Sequence, residues 1–204
     1  PDIALRLGFR LQNKRGERHD AALFPVPGWI PDGGYSIDKA LIFGFMRQES
    51  RFKTKARSRR GASGLMQLMP ATARFIATRQ ERRRGRRALF EPELNIALGQ
   101  KYIQKMLDEP TIRGNLFYAV TAYNAGPGNL RKWRRQVDYR NDPLLFIESI
   151  RSRETRNYVE RVLTNFWTYR RRFDQDLPSL AAVAAGAWPV YIPLDPPPSA
   201  AKAN

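Results

Sequence analysis

The sequence has no cysteine and one histidine, His19, among 204 residues. The first absence excludes disulfides, thiolate metal sites and cysteine nucleophiles. The second excludes multi-histidine metal centres, and a Ser-His-Asp machine would have to use a histidine in the irregular polar stretch Asn13-Lys-Arg-Gly-Glu-Arg-His-Asp20. No apolar run approaches the ~20 residues of a membrane span, and no charged-then-apolar signal segment opens the chain. Acid-base chemistry therefore falls to carboxylates, tyrosine or lysine. Acidic residues are themselves scarce: 19 Asp and Glu stand against 36 Lys and Arg, a net charge of +17. Such a balance calls for a polyanionic partner, whether nucleic acid, an anionic membrane surface or an acidic wall polymer.

With 42% hydrophobic residues, the chain can bury a core of one domain of ~160 residues plus flanking segments. Residues 1–24 carry a short helix-like pattern (Ile3, Leu5, Leu7, Phe9, Leu11) and read as a connector or the remnant of a larger region. An opening Pro1 in place of Met suggests a processed or trimmed product. The domain proper is expected over residues 25–176, and an Ala/Pro-rich tail over 177–204, with Pro193, Pro196, Pro197 and Pro198, as a surface-hugging or mobile segment. Helices are predicted over Ile37–Ser50 with Ser36 as N-cap, over Pro70–Thr78, through Leu94–Leu107, over Leu116–Ala125, from Pro127, and over Glu154–Phe173. Few segments alternate in strand fashion, so the fold class is mainly α. The basic run Arg79-Gln-Glu-Arg-Arg-Arg-Gly-Arg-Arg87 is either a solvated face or a contact for an acidic polymer.

Glu49 ends the first strong helix, on the same stripe as Ile37, Leu41 and Phe45 and three residues after Met46. A carboxylate in a last turn faces the negative end of the helix dipole, and apolar neighbours penalise its charged form. Both effects raise its pKa, as a general acid requires. For a glutamate taken alone, a solvated helix-terminal side chain is the favoured reading.

Four ordered blocks weigh against that plainer reading: Glu49-Ser50, Gly64-Leu-Met-Gln-Leu-Met-Pro70, Ala122-Tyr-Asn-Ala-Gly-Pro-Gly-Asn129 and Glu154-Thr-Arg-Asn-Tyr-Val159. Together they resemble the catalytic domain of the soluble lytic murein transglycosylases, and the resemblance runs over roughly residues 25 to 173. It departs from the family at Ile150-Arg-Ser-Arg-Glu154, where members often place a proline shortly before the glutamate. The resemblance implies a goose-lysozyme-like helical domain that cleaves the β-1,4 bond between N-acetylmuramic acid and N-acetylglucosamine in peptidoglycan, leaving a 1,6-anhydro product. It implies Glu49 as the single acid and base. It also implies sugar-cleft roles for Ser58, Gln67, Met69, Thr72, Tyr123, Asn124, Glu154, Arg156 and Tyr158. Several of these have plainer alternatives: core packing for Met69 and Tyr158, support of the Pro70 helix start for Thr72, turn fixing for Asn124, an ion pair for Arg156. Gly126 and Gly128 read as backbone devices.

The resemblance implies no metal or organic cofactor, a peptidoglycan partner with electrostatic association to anionic envelope surfaces, and a location in the bacterial periplasm or envelope. Three rivals remain. A lysozyme-type muramidase would use the same acid and admit water. A silent wall-binding module would hold glycan uncut. A basic nucleic-acid binder is motivated by Arg131-Lys-Trp-Arg-Arg135 and Tyr169-Arg-Arg-Arg172, where arginines interleave with aromatics, although no nucleic-acid fold motif accompanies them and no specific nucleic acid is expected.

Overall fold

Two antiparallel helices, α3 (Lys39–Glu49) and α10 (Arg153–Arg172), form the central pair of a computed structural model that describes residues 1–196. Their approach is close because Gly44 has no side chain: a Cβ there would sit 3.1 Å from both Phe166 N and Val162 O. Asn165 fills the seam, donating from Nδ2 to Gly44 O (3.3 Å) and accepting from Arg47 Nη1 (2.8 Å). Along α10 the buried residues Tyr158, Val162, Phe166 and Tyr169 recur at three and four, the stripe predicted from the sequence.

In chain order the other elements are α1 (Asp2–Arg15), α2 (Asp20–Leu23), α4 (Pro70–Ile76), α5 (Arg79–Arg83), a 3₁₀ turn (Arg86–Phe90), α6 (Pro92–Asp108), α7 (Leu116–Ala125), α8 (Pro127–Gln136), α9 (Pro143–Ser149) and α11 (Pro178–Ala184). Among the described residues only isolated β-bridges occur, so the mainly α expectation holds. Helix α7 is buried from Leu116 through Ala122 and packs against α6, α8 and α10. Asn115 caps its start by accepting from Tyr118 N (3.2 Å), and Gly126, at φ 85°, stops it before Pro127 opens α8.

One expectation needs correcting. Ser36 does not cap α3; its N–H donates instead to Gln100 Oε1 (3.1 Å), and the helix begins after Asp38. Asp38 occupies the cap position, yet its carboxylate turns away from the helix. It accepts from Arg170 Nη2 (2.6 Å), from Leu194 N (3.0 Å) and from Asp195 N (3.1 Å). The pull of a buried guanidinium on a buried carboxylate outweighs a solvent-facing cap.

The segment after α11 runs back across the fold. Tyr191 N donates to Gly114 O and Leu116 N to Pro189 O, both at 2.8 Å, and Trp188 packs among Phe117, Tyr118, Tyr139 and Phe146. Pro193 and Pro196 fall within this strap, while Pro197 and Pro198 lie outside the described residues.

Between α3 and α4 the chain makes tight turns that position the neighbourhood of Glu49. Gly64, at φ 80°, presses against the Asn95 side chain: a Cβ would lie 2.2 Å from Leu89 O and 2.3 Å from Asn95 Nδ2. Asn95 ties three parts of this region together, donating to Ser63 O and Leu89 O and accepting from Met66 N (2.7 Å). Gly64→Ala is expected to destabilise the protein by more than ~2 kcal/mol, through backbone strain and overlap. Chemical denaturation would measure it, and an unchanged midpoint would mean the turn relaxes freely.

Candidate active site

Glu49 is the last residue of α3, and the chain leaves it through Arg51 and Phe52, both in the left-handed region at φ 52° and 63°. Burial of the Phe52 ring, 1% exposed, holds this costly conformation in place. The abrupt turn leaves the Glu49 side chain at a helix end facing a small hollow of about 260 Å³. Gln48, Asn124, Glu154, Asn157, Tyr158 and Arg161 line it with Glu49. Larger hollows exist elsewhere on the protein; the chemistry of the acid, and not cavity size, singles this one out.

Tyr158 donates its hydroxyl proton to Glu49 Oε1 at 2.5 Å. Burial pushes the Glu49 carboxyl up from 4.5 to about 7, and the Tyr158 hydrogen bond opposes the rise. Its position at the end of α3 adds a field of the same sign as burial. Burial, and then the nearby Glu49 charge, hold the Tyr158 and Tyr123 phenols well above their ordinary value, so both remain proton donors. Since Oε1 accepts from Tyr158, a proton carried by Glu49 belongs on Oε2, which has no protein partner among the described residues. The arrangement supplies an acid that is half protonated near neutral pH, where an ordinary glutamate is protonated roughly once in 300.

The other residues expected at a cleft are distributed unevenly. Asn124, Glu154 and Tyr158 line the hollow with Glu49. Asn124 Oδ1 accepts from Thr155 Oγ1 (2.8 Å), which joins the end of α7 to the start of α10. Tyr123 stands behind the acid, its ring on Phe45 and Tyr102 and its hydroxyl donating to Met66 O (2.8 Å). Gln67, at φ 45°, spends both its amide N–H donations on its own loop, to Gly64 O (2.8 Å) and Ala56 O (3.2 Å). Ser58 Oγ accepts from Ala62 N (3.0 Å) across a turn. Arg156 makes no ion pair among the described residues; it donates to Ile150 O (2.6 Å) and so ties down the turn before α10. Met69 is 42% exposed, which sets aside core packing as its role, and Thr72 is partly buried beside the Pro70 helix start.

Gln48, Asn157 and Arg161 join the hollow without having been singled out. A signal for two of them was present: Glu154, Asn157, Tyr158 and Arg161 stand at i, i+3, i+4 and i+7, one face of one helix. The aromatics that suggested base stacking lie inside the protein, Trp133 at 9% and Tyr169 at 0% exposure, and Arg170 is equally buried. They offer no platform to a nucleic acid. Among the described residues no cluster of three or more His, Asp or Glu is arranged to hold a metal ion, and no helix is long and apolar enough to cross a membrane.

This all-helical frame, with one desolvated acid at a helix end, is that of a lysozyme-like transglycosylase domain, and comparison with known proteins agrees. The family described as "Transglycosylase SLT domain" matches residues 32–146, more than half of the chain, and the chain belongs to that family. The soluble lytic murein transglycosylase of Salmonella typhimurium is 40% identical over 142 residues, covering 69% of this chain and 22% of its own. That of Escherichia coli K12 is 37% identical over 159 residues, covering 76% and 24%. The chain thus spans about a quarter of the length of these relatives. The crystal structure of the 70 kDa soluble lytic transglycosylase from Escherichia coli is similar with a TM-score of 0.73 at 31% identity, over 85% of this chain and 28% of that one. In complex with bulgecin A, the 70-kDa soluble lytic transglycosylase gives a TM-score of 0.75 at 31% identity, over 93% and 31%. The lytic transglycosylase Slt of Pseudomonas aeruginosa, solved as an inactive glutamate-to-glutamine mutant, gives 0.68 at 29% identity, over 86% and 31%.

Proposed function

We propose that this chain is a lytic transglycosylase that cleaves the β-1,4 bond between N-acetylmuramic acid and N-acetylglucosamine in peptidoglycan, with Glu49 as acid and then base. The observation that carries the reading is Glu49 itself: partly buried, held by Tyr158, and pushed up to about 7 at the edge of a polar hollow. The names of the relatives support the substrate, and the inactive mutant of the Pseudomonas aeruginosa relative supports dependence on one glutamate.

In this mechanism Glu49 Oε2 gives its proton to the glycosidic oxygen as the bond from that oxygen to C1 of muramic acid breaks. The substrate's own 2-acetamido oxygen stabilises the positive charge at C1. The carboxylate then takes the proton of the C6 hydroxyl as O6 bonds to C1, closing a 1,6-anhydro ring and restoring the acid. No water is consumed. Because the attacking hydroxyl is tethered to the reacting sugar, no second carboxylate has to activate a nucleophile. Asn124, Asn157, Glu154 and Arg161 offer amide, carboxylate and guanidinium partners to sugar hydroxyl and acetamido groups. Gln67, Ser58 and Thr72 act from the neighbouring loop and the α4 start, Met69 offers an apolar contact to a sugar face, and Arg156 holds the cleft wall. A periplasmic or envelope location and electrostatic attraction to anionic wall surfaces follow from this substrate and the net charge of +17.

Glu154, a second carboxylate in the same hollow, favours a second reading in which water is activated and the products are hydrolytic. Mass spectrometry of the soluble products from purified peptidoglycan tests both. Products ending in 1,6-anhydromuramic acid are expected, with Glu154→Gln retaining cleavage. Products one water heavier, lost equally in Glu49→Gln and Glu154→Gln, would replace the proposal with hydrolysis.

The pH profile provides an independent check. The protonated acid is the active form, so kcat/KM should fall above about pH 7. Tyr158→Phe removes a hydrogen bond that favours the carboxylate, so this alkaline limb should move to higher pH even as the less well-held acid lowers the maximal rate. A limb that moves down, or stays fixed, would dissociate Tyr158 from the acid.

A further inference from the structure

A second groove lies on the α4 side of the fold, between α4, α5, the 3₁₀ turn and α6, with a volume of about 460 Å³. Its floor is apolar, made by Ala73, Ala77, Leu89, Leu94 and Leu98. Its rim carries Arg74, Arg82 and Arg86, all exposed and none of them in an ion pair among the described residues. The only acid in the lining, Glu81, is already committed: it pairs with Lys101 Nζ (2.6 Å) and accepts from Thr78 N (2.7 Å) in a capping box. Nearby acids go elsewhere too, since Asp32 and Glu91 both pair with Arg84. Three guanidiniums thus surround an apolar floor with no internal counter-charge, and this is where the basic run of residues 79–87 folds.

We propose that this groove binds the acidic stem peptides of peptidoglycan, an inference that rests on the function proposed above. The occupant follows from complementarity. A guanidinium rim selects carboxylates, and planar guanidiniums bind them in bidentate fashion. The floor residues are each 7% exposed or less, which suits methyl groups and is too little apolar surface for an acyl chain. A short peptide with several free carboxylates and alanine side chains meets both requirements, whereas a nucleic-acid backbone has no use for the floor. The groove also adjoins the turns that flank the acid: Pro70 belongs to its lining and directly follows Met69, and the Leu89 carbonyl in its wall is held by Asn95, which also fixes Met66.

The test compares intact, peptide-bearing peptidoglycan with strands stripped of their peptides by an amidase, using wild type, Arg82→Ala/Arg86→Ala, and a charge-matched control, Arg6→Ala/Arg10→Ala, on α1. The groove variant is expected to lose roughly five- to ten-fold in kcat/KM on the peptide-bearing substrate, the scale of two rim contacts, and to match wild type on stripped strands. The α1 control should match wild type on both. Equal losses on the two substrates, or equal losses in the two variants, would overturn the proposal in favour of general charge attraction. Wild type that cleaves neither substrate would instead overturn the glycan-cleaving function on which it rests.

Discussion

Glu49→Gln is expected to fold, to bind peptidoglycan and to lose on the order of 10²–10⁴-fold in turnover, the usual contribution of a positioned general acid, or more because the same group also serves as the base. Glutamine keeps the shape and still accepts from Tyr158, so the hollow survives while the transferable proton is lost. A structural role for Glu49 would show a different pattern, and stability against pH separates the two. The fold raises this carboxyl from 4.5 to about 7. Between those values the folded protein holds a proton that the unfolded chain has released, so wild-type stability falls as pH rises through this window, by at most ~3 kcal/mol. The neutral amide has no such dependence. Glu49→Gln should therefore match wild type near pH 4 and be more stable at pH 8, while inactive at both. Denaturant titrations at the two pH values, beside turnover assays, measure this; a variant that is less stable at pH 8, or still active, would remove Glu49 from the role given to it.

The second large effect is expected far from the hollow. Among the described residues Asp38 is the only carboxylate that Arg170 touches, through Nη2; Arg170 is itself 0% exposed, its Nε and Nη1 have no hydrogen-bond partner there, and Asp38→Ala removes that counter-charge. Leaving one member of a buried ion pair uncompensated costs about 3–5 kcal/mol, or roughly 6–20 °C in melting temperature for a chain of this size. The backbone N–H groups of Leu194 and Asp195 lose their acceptor in the same step, so the strap should loosen and be cleaved earlier in limited proteolysis. The double variant Asp38→Leu/Arg170→Met, which removes both charges, should regain part of the loss. If the double variant is as damaged as the single one, the pair is not the source of the effect.

Much of this architecture is legible in the residues, for reasons that differ by element. The long stripe of α10 and the stretch Leu116–Ala125 have period and length enough to fix helices to within about a residue. Glu49 stands out because an acid follows an apolar stripe at helical spacing. The start of α3 was misplaced because a cap depends on where a side chain finds its strongest partner, and Arg170 lies 132 positions further along the chain. The same limit applies to the strap: its Ala- and Pro-rich composition left surface-hugging and mobile readings open, and only long-range contacts place Trp188 and Tyr191 on the core. Helices α9 and α11, seven residues each, carry too few turns to display a period. Gln67 reads as a ligand from its motif; the backbone, turning through φ 45°, adds that its two N–H donors are spent on its own loop, so its amide oxygen is the atom left for a sugar. Arg161 was in view as part of a helix, but its membership of the hollow emerges only once Glu154 is placed there.

Seen lengthwise, α3 and α10 work as a measuring rod. One end is pinned by Asp38 and Arg170, the other meets at Glu49 and Tyr158, and the contacts between them run in step along both helices. The acid is the eleventh residue after the pin, ~16 Å along the axis at 1.5 Å per residue. Adding or deleting one residue between them would swing Glu49 by ~100° about the axis, away from Tyr158 and out of the hollow, without altering a single residue in it. The direction in which the acid points is set by a count taken from the sealed end of the protein.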